Sequence, residues 1–304
     1  MSQINEFKLL DIKSDCFDMI IASYAKWLKG EYRFLFSNSL GFGFNDSERK
    51  LGDKIYVDKG DIIEPVIKNG MQVIFYNKNT EEIHASVNRD HPVVVELDEY
   101  YCYWRLNYQK IHKKHYVILL SYSYNSNVYS CLDTIPNSTN LIISNEFVLN
   151  NAKRIYSIFD NGNDICETDF YNAFFPIIAK YSSIGMWVQY SMFIDAIDNC
   201  SLQEEMKGYE DVDVIHIPLI WNMKNIAFSY NLFQNYLEYV DQDRLTYLID
   251  KLHTIKQYWD IATNILIISF VRKKFDFPRE DVKEYLRKAI NEMKGFIDQL
   301  SMIK

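Results

Sequence analysis

The sequence predicts an α+β protein whose two halves differ in their apolar periodicity. From about residue 51 to 150, short β-branched and aromatic runs alternate with turn residues, as in "VIKNGMQVIFYNKNT", "HPVVVELD", "HYVILLSYSYN" and "NVYSCLD". Beyond about residue 165 the apolar positions recur at helical spacing through "ETDFYNAFFPIIAKYSSIGMWVQYSMFIDAID", "NMKNIAFSYNLFQNYLEYV", "DRLTYLIDKLHTIKQYWDIATNILIISFV" and "PREDVKEYLRKAINEMKGFIDQL". These two observations divide the chain into residues 1–150 and 151–304. The stretches "NSTNLIISNEFVLNNAKR" and "DNGNDICETD" read as the connection between them.

One helix is expected in the first half, over residues 16–30. Phe17, Ile20, Ile21, Tyr24, Trp27 and Leu28 recur at three- and four-residue spacing and give one apolar face. Ser14 and Asp15 are both suited to cap its first turn, and Gly30 is a C-terminal stop. The strand signals follow, with Asn-Gly and "YNSN" supplying turn chemistry between apolar runs. The last helix opens on Pro278 followed by acidic residues, which suits a helix N-terminus.

With 304 residues, 48% of them hydrophobic and 15% aromatic, the chain can bury a sizeable core. A formal charge of −8 argues against nucleic acid as a partner, because phosphate binding requires a basic face. The N-terminus mixes acidic and apolar residues and lacks the apolar core of a signal peptide. The run "IATNILIISFV" is too short to cross a bilayer, so no membrane partner is expected. Cys16, Cys102, Cys131, Cys166 and Cys200 are scattered without a CxxC pair, which reads as reduced thiols in a cytoplasmic protein and argues against a metal site.

Cys16 stands at the start of the predicted helix. Unpaired first-turn amides and the positive end of the helix dipole favour a thiolate there, and the same amides can hold an oxyanion. The alternative is a small buried hydrophobe, the common fate of a free cysteine. If Tyr116–Ser121 and Val128–Asp133 pair as antiparallel strands, His115 and Asp133 meet at one end of the ladder. Asp133 then orients the imidazole and leaves its other nitrogen free as a base. His112 competes for that role, but its place beside "KK" suits an approach loop, and His115 has the better geometry. The alternatives are a surface histidine and, for Asp133, a turn cap.

Cys16 at a helix start, "LFSNSLGFGF" after it, and "VVVELDEYYCYWRLNYQKIHKKHYVILLSYSYNSNVYSCLD" together resemble papain-like cysteine enzymes with the order Cys, His, Asp. Within that group the chain is similar to the N-terminal domain of butirosin biosynthesis protein H and its relatives, over roughly residues 10–135. The resemblance implies a papain-like catalytic domain over 1–150 and a helical substrate- or partner-binding region over 151–304 that covers or shapes the cleft. It implies a catalytic triad of Cys16, His115 and Asp133, which moves an acyl group from a carrier-protein thioester to a small-molecule amine without ATP. Amide synthetases that cap thiotemplated chains in antibiotic assembly, as in closthioamide-type pathways, are the variant expected. The protein itself needs no cofactor; the phosphopantetheine arm arrives on the acyl or peptidyl carrier protein. The chain departs from the papain-like pattern at Lys8, Leu9 and Leu10, where a Gln completes the oxyanion hole, at Lys114, where Gly is usual, and at Thr134, where Pro often stands. The missing Gln weighs against ordinary peptidase activity and calls for another oxyanion donor beside the Cys16 amide. A peptidase or thioesterase with the same triad, and a binding or immunity protein with a dead site, are the alternatives.

Four more residues are assigned to substrate binding. His112 lies on the approach loop, and Asp98 ends a strand beside Tyr100 and Tyr101. Gly41 and Gly43 in "LGFGF" permit close backbone approach near the cleft; a plain turn is the alternative, and a dinucleotide loop would need a third glycine. Lys110, Lys113 and Lys114, with Arg272–Phe275, are basic clusters that could receive an acidic carrier protein; as alternatives they are solvated faces.

Overall fold

The computed structural model describes residues 7–59, 62–89, 91–134, 141–162, 172 and 174–303. Cys166 and parts of the expected connection lie outside the described residues. In chain order the elements are α1 (Cys16–Lys29), β1 (Gly43–Phe44), α2 (Leu51–Lys54), β2 (Ile55–Tyr56), α3 (Ile63–Lys68), β3 (Met71–Phe75), α4 (Thr80–Asn88), β4 (Val93–Asp98) and β5 (Lys114–Ser123). Then come β6 (Val128–Asp133), β7 (Leu141–Ser144), α5 (Asn145–Asn151), β8 (Arg154–Asp160), α6 (Phe174–Ser182), α7 (Ile184–Ala196), α8 (Leu202–Met206), α9 (Pro218–Val271) and α10 (Arg279–Leu300). The architecture is α+β, with an antiparallel sheet and a helical C-terminal half.

Contacts divide the chain into two units: residues 1–32 with 63–166, and residues 33–62 with 167–304. This differs from a single boundary at residue 150 in two ways. Residues 33–62 pack with the helical unit, because Phe42 stacks on Tyr190 at 4.1 Å and approaches Trp259 at 6.1 Å. The stretch expected to connect the halves instead contributes β7, α5 and β8 to the first unit. In β8 the side chains of Ile155, Tyr156 and Ile158 are buried, and the strand pairs with both β3 and β4.

The six-stranded sheet of the first unit runs β3-β8-β4-β5-β6-β7, with every neighbour antiparallel. The register pairs Val95 with Val117 and Leu97 with His115, then Val117 with Asp133 and Leu119 with Cys131. Alternation along strands sends these side chains to one face. There Val93, Val95, Leu97, Val117, Leu119, Tyr129 and Cys131 bury against Ile83 and Val87 of α4 and Val148 of α5. Each such side chain contributes roughly 1.5–3 kcal/mol of apolar burial. Asp98, Glu96, Tyr116 and Ile118 alternate onto the opposite face, and α1 packs there. Phe17 meets the Tyr116 ring at 5.6 Å, and Tyr24 donates its hydroxyl to the Pro92 carbonyl at 2.6 Å.

Helix α1 starts and stops as its caps dictate. The Asp15 carboxylate accepts the Asp18 amide at 2.8 Å, Ser14 donates to the Asp18 carboxylate at 2.8 Å, and Gly30 closes the helix with φ 76°. That positive φ is cheap only for glycine.

The second unit carries α6–α10 and the small β1–β2 pair. Helix α9 comprises two helical stretches meeting at Asp241, whose backbone is extended (φ −168°, ψ 87°) and whose carboxylate accepts the Arg244 amide at 3.1 Å. The aspartate caps the second stretch, which explains the break between the two apolar patterns. Pro278 precedes α10 as expected, and Val282, Leu286, Ala289, Met293, Phe296 and Leu300 of α10 are buried. No helix among the described residues is long and apolar enough to cross a membrane.

Candidate active site

Cys16 is the first residue of α1 and is half-buried, whereas Cys102, Cys131 and Cys200 are fully buried. At this position its amide and that of Phe17 fall outside the helix's own i→i−4 ladder. The Cys16 side chain interacts with the His115 imidazole and favours its charged form. His115, 1% exposed on β5, meets Asp133 at the end of β6, with Nε2 and Asp133 Oδ2 3.1 Å apart. Because Asp133 takes Nε2, the ring nitrogen left for the sulfur is Nδ1.

The strand geometry matches the expectation of a common ladder end, with one refinement. Strand β5 begins at Lys114, two residues earlier than Tyr116, and Asp133 lies directly opposite Val117. His115 and Asp133 therefore share a face as diagonal neighbours, a spacing that long polar side chains bridge.

Asp133 is itself tightly held. Its Oδ2 also accepts Trp104 Nε1–H at 2.6 Å, and its Oδ1 accepts from the Thr134 hydroxyl at 3.4 Å and pairs with Arg105 at 3.9 Å. Arg105 in turn donates to Glu99 Oε1 at 3.1 and 3.2 Å, an oxygen that also accepts from Asn107 at 3.1 Å. The loop after β4 thus braces the carboxylate. Trp104, Arg105 and Glu99 were not among the residues expected from sequence. The signal for Trp104 and Arg105 was the "WR" pair inside the aromatic run "YCYWRLNYQK", between the two candidate strands.

The electrostatics follow from this network. Burial alone would lower the His115 pKa, but the hydrogen bonds to Asp133 and Cys16 outweigh it and raise the group to about 9. Burial pushes the Asp133 carboxyl up, yet the His115 and Trp104 hydrogen bonds and the Arg105 charge hold it below the usual carboxylate value. Burial raises the Cys102 and Cys200 thiols to about 12 and the Cys131 thiol further still, so none of these three is a nucleophile near neutrality.

His112 and Asp98 are brought together. His112 Nδ1 lies 2.9 Å from Asp98 Oδ2, and the imidazole stacks on Tyr100 at 4.3 Å and 12°. Asp98 also accepts the Tyr100 amide at 3.1 Å, the Lys113 amide at 3.2 Å and Lys153 Nζ at 3.2 Å. Burial opposes ionisation of Asp98, but the His112, Tyr100 and Lys153 hydrogen bonds win and hold its pKa low.

Lys110 and Lys114 are exposed, and Lys113 differs from them. It is only partly exposed and interacts electrostatically with Glu99, Cys16 and Asp15; burial lowers its pKa to about 8. Gly41 and Gly43 belong to the second unit. A Cβ on Gly41 would strike the Asp58 carbonyl, and one on Gly43 the Tyr56 ring. Close packing against residues 56–58 accounts for both glycines.

A cavity of about 450 Å³ opens in the second unit beside Phe44, Met192 and Cys200. Several of its charges are paired: Arg49 with Glu204 at 3.3 Å, Lys54 with Asp46 at 2.6 Å, and Glu205 with the Leu51 and Gly52 amides at 2.6 and 3.1 Å. Among the described residues no group of three or more His, Cys, Asp and Glu side chains is arranged to hold a metal ion.

No protein-family model matches this chain, and no curated protein matches it either. The functional reading therefore rests on the site itself.

Proposed function

We propose that the protein is a papain-like cysteine acyltransferase that forms an amide. The observation that carries this reading is the array Cys16–His115–Asp133, in which Asp133 hydrogen-bonds the imidazole and Cys16 interacts with it, with the sulfur at a helix N-terminus. An imidazolium beside the sulfur supports a thiolate–imidazolium pair, the form in which a cysteine attacks a carbonyl. The thiolate adds to a carrier-bound thioester, the new C–S bond forms on Cys16, and the carrier's C–S bond breaks to release pantetheine as a thiolate. An amine then attacks the acyl-cysteine, the amide leaves, and the sulfur returns to its partner. The first-turn amides of α1 suit the oxyanion in both halves. No ATP is needed, because the thioester is already activated. The acyl donor is read as an acyl or peptidyl carrier protein and the acceptor as a small-molecule amine.

Intact-protein mass spectrometry after incubation with a simple acyl thioester tests the reading. An acyl adduct on Cys16, and amide formed when amine is added, are expected. Mainly free acid in the presence of amine would replace the transferase by a thioesterase or peptidase of the same triad. A Cys16→Ala variant that keeps full biological activity would point to a binding protein.

A further inference from the structure

The geometry points to His112 as the general base for the acceptor amine, oriented by Asp98 and distinct from the His115 that serves the sulfur. This rests on the acyltransferase reading above and adds a residue to its second step.

Asp98 and His115 stand at the same end of strands β4 and β5 but alternate onto opposite faces of the sheet. Helix α1, which carries Cys16, packs on the face to which Asp98 points, where Phe17 meets Tyr116. Lys113, next to His112, interacts electrostatically with both Cys16 and Asp15 and so ties this loop to the helix start. One histidine–aspartate pair therefore stands on each face of the sheet end, His115–Asp133 with Cys16 beside it and His112–Asp98 on the face against which α1 packs.

The two pairs are built for different tasks. His115 is enclosed, with Nε2 on Asp133 and an interaction with Cys16. His112 has a side chain 66% exposed, with Nδ1 committed to Asp98 and the ring flat on Tyr100. An ionised Asp98 places the proton of the neutral imidazole on Nδ1. Nε2 is then left with its lone pair, open to an arriving molecule.

The chemistry of a thioester donor calls for such a second group. A thiol leaves as a thiolate without taking a proton, so the acyl-enzyme forms with His115 still protonated. When the amine attacks, its nitrogen must lose a proton as the C–N bond forms and the C–S bond to Cys16 breaks. His112 Nε2 receives that proton and passes it to solvent, while the Cys16 thiolate returns to the His115 imidazolium. Atoms and charge balance without a further reactant.

The test uses the full chain with S-hexanoyl N-acetylcysteamine as donor and benzylamine as acceptor. It compares the unaltered protein with His112→Ala and His112→Gln. In both variants transfer to benzylamine should fall about 100-fold further than the rate of hexanoyl adduct formation on Cys16 does. Added imidazole should restore transfer in His112→Ala and leave adduct formation unchanged. Transfer at the unaltered rate in both variants would overturn the proposal alone, as would equal loss of adduct formation and transfer. Absence of any adduct on the unaltered protein would overturn the acyltransferase reading and this proposal with it.

Discussion

Two histidine–aspartate pairs stand at one end of the same sheet, and they differ in almost every respect but distance. His115–Asp133 spans 3.1 Å and His112–Asp98 spans 2.9 Å. The first is buried, its histidine 1% and its aspartate 3% exposed, and Trp104, Thr134 and Arg105 enclose the carboxylate. The second keeps its carboxylate buried at 6% but leaves its imidazole in water. An enclosed imidazole is well suited to hold a charge beside a sulfur, whereas an open one can exchange a proton with an arriving molecule and then with solvent. The same two residue types, at nearly the same separation, acquire different chemistry from what surrounds them.

The contrast can be broken most forcefully at the enclosed pair. Cys16→Ala should abolish the acyl adduct outright, and His115→Gln should lower the adduct rate by about 10⁴-fold, both read by mass spectrometry. Asp133→Asn should lower it by about 10³- to 10⁴-fold, because the amide can present its N–H₂ to Nε2 and favour the wrong tautomer. The corresponding Asp98→Asn change should spare adduct formation and slow only transfer. Equal losses of adduct formation in the two asparagine variants would erase the distinction between the pairs.

The pH dependence separates the pairs by direction. The His115 pKa is raised from 6.5 to about 9, so its contribution to stability is complete below 6.5 and is lost as pH rises through about 9. The adduct rate should decline over the same upper limb, and thermal unfolding should occur at lower temperature at pH 9.5 than at pH 6. Asp133 acts in the opposite sense. Its pKa is depressed, so its contribution is present above the ordinary carboxylate range and disappears in acid. In His115→Gln the alkaline loss of stability should vanish.

Smaller changes probe the surroundings of each carboxylate. Trp104→Phe keeps the ring but removes the donor to Asp133, and should cost about 1–2 kcal/mol in denaturant unfolding with about a tenfold slower adduct rate. Lys153→Ala removes a half-exposed ion pair from Asp98 and should change stability by less than about 0.5 kcal/mol. At neutral pH iodoacetamide should modify Cys16 ahead of Cys102, Cys131 and Cys200, as peptide mapping would show. Equal labelling would contradict the difference in burial.

Much of the site was legible in the sequence because its parts obey local rules. Asp15 and Gly30 bound a helix that starts at Cys16, and the antiparallel strands bring His115 and Asp133 to one end. Those features depend on capping and on a period of two, which short windows contain. Trp104 and Arg105 were harder to foresee, because an indole and a guanidinium in a loop acquire meaning only from the carboxylate they reach, many residues later in the chain. Strand β8 was missed for a similar reason. "RIYSIFD" reads as a strand only once β3 and β4 are there to receive it on both sides. The pairing of His112 with Asp98 likewise depends on the way the intervening loop folds back.

The excursion of residues 33–62 sets an order of events during synthesis. This segment is made early, yet the helices it packs with begin only after residue 167. Phe34, Leu35, Phe36 and Phe42 must therefore wait, apolar and without their final neighbours, while β3 to β8 are translated. The sheet has to close with a long loop held open inside its own sequence, at a cost in chain entropy that grows only slowly with loop length. A ribosome stalled once Asp160 has cleared its exit tunnel, before the later helices emerge, would thus display the strands of the sheet together with an unsatisfied apolar strap. Chaperone capture of this protein should concentrate at that point of elongation.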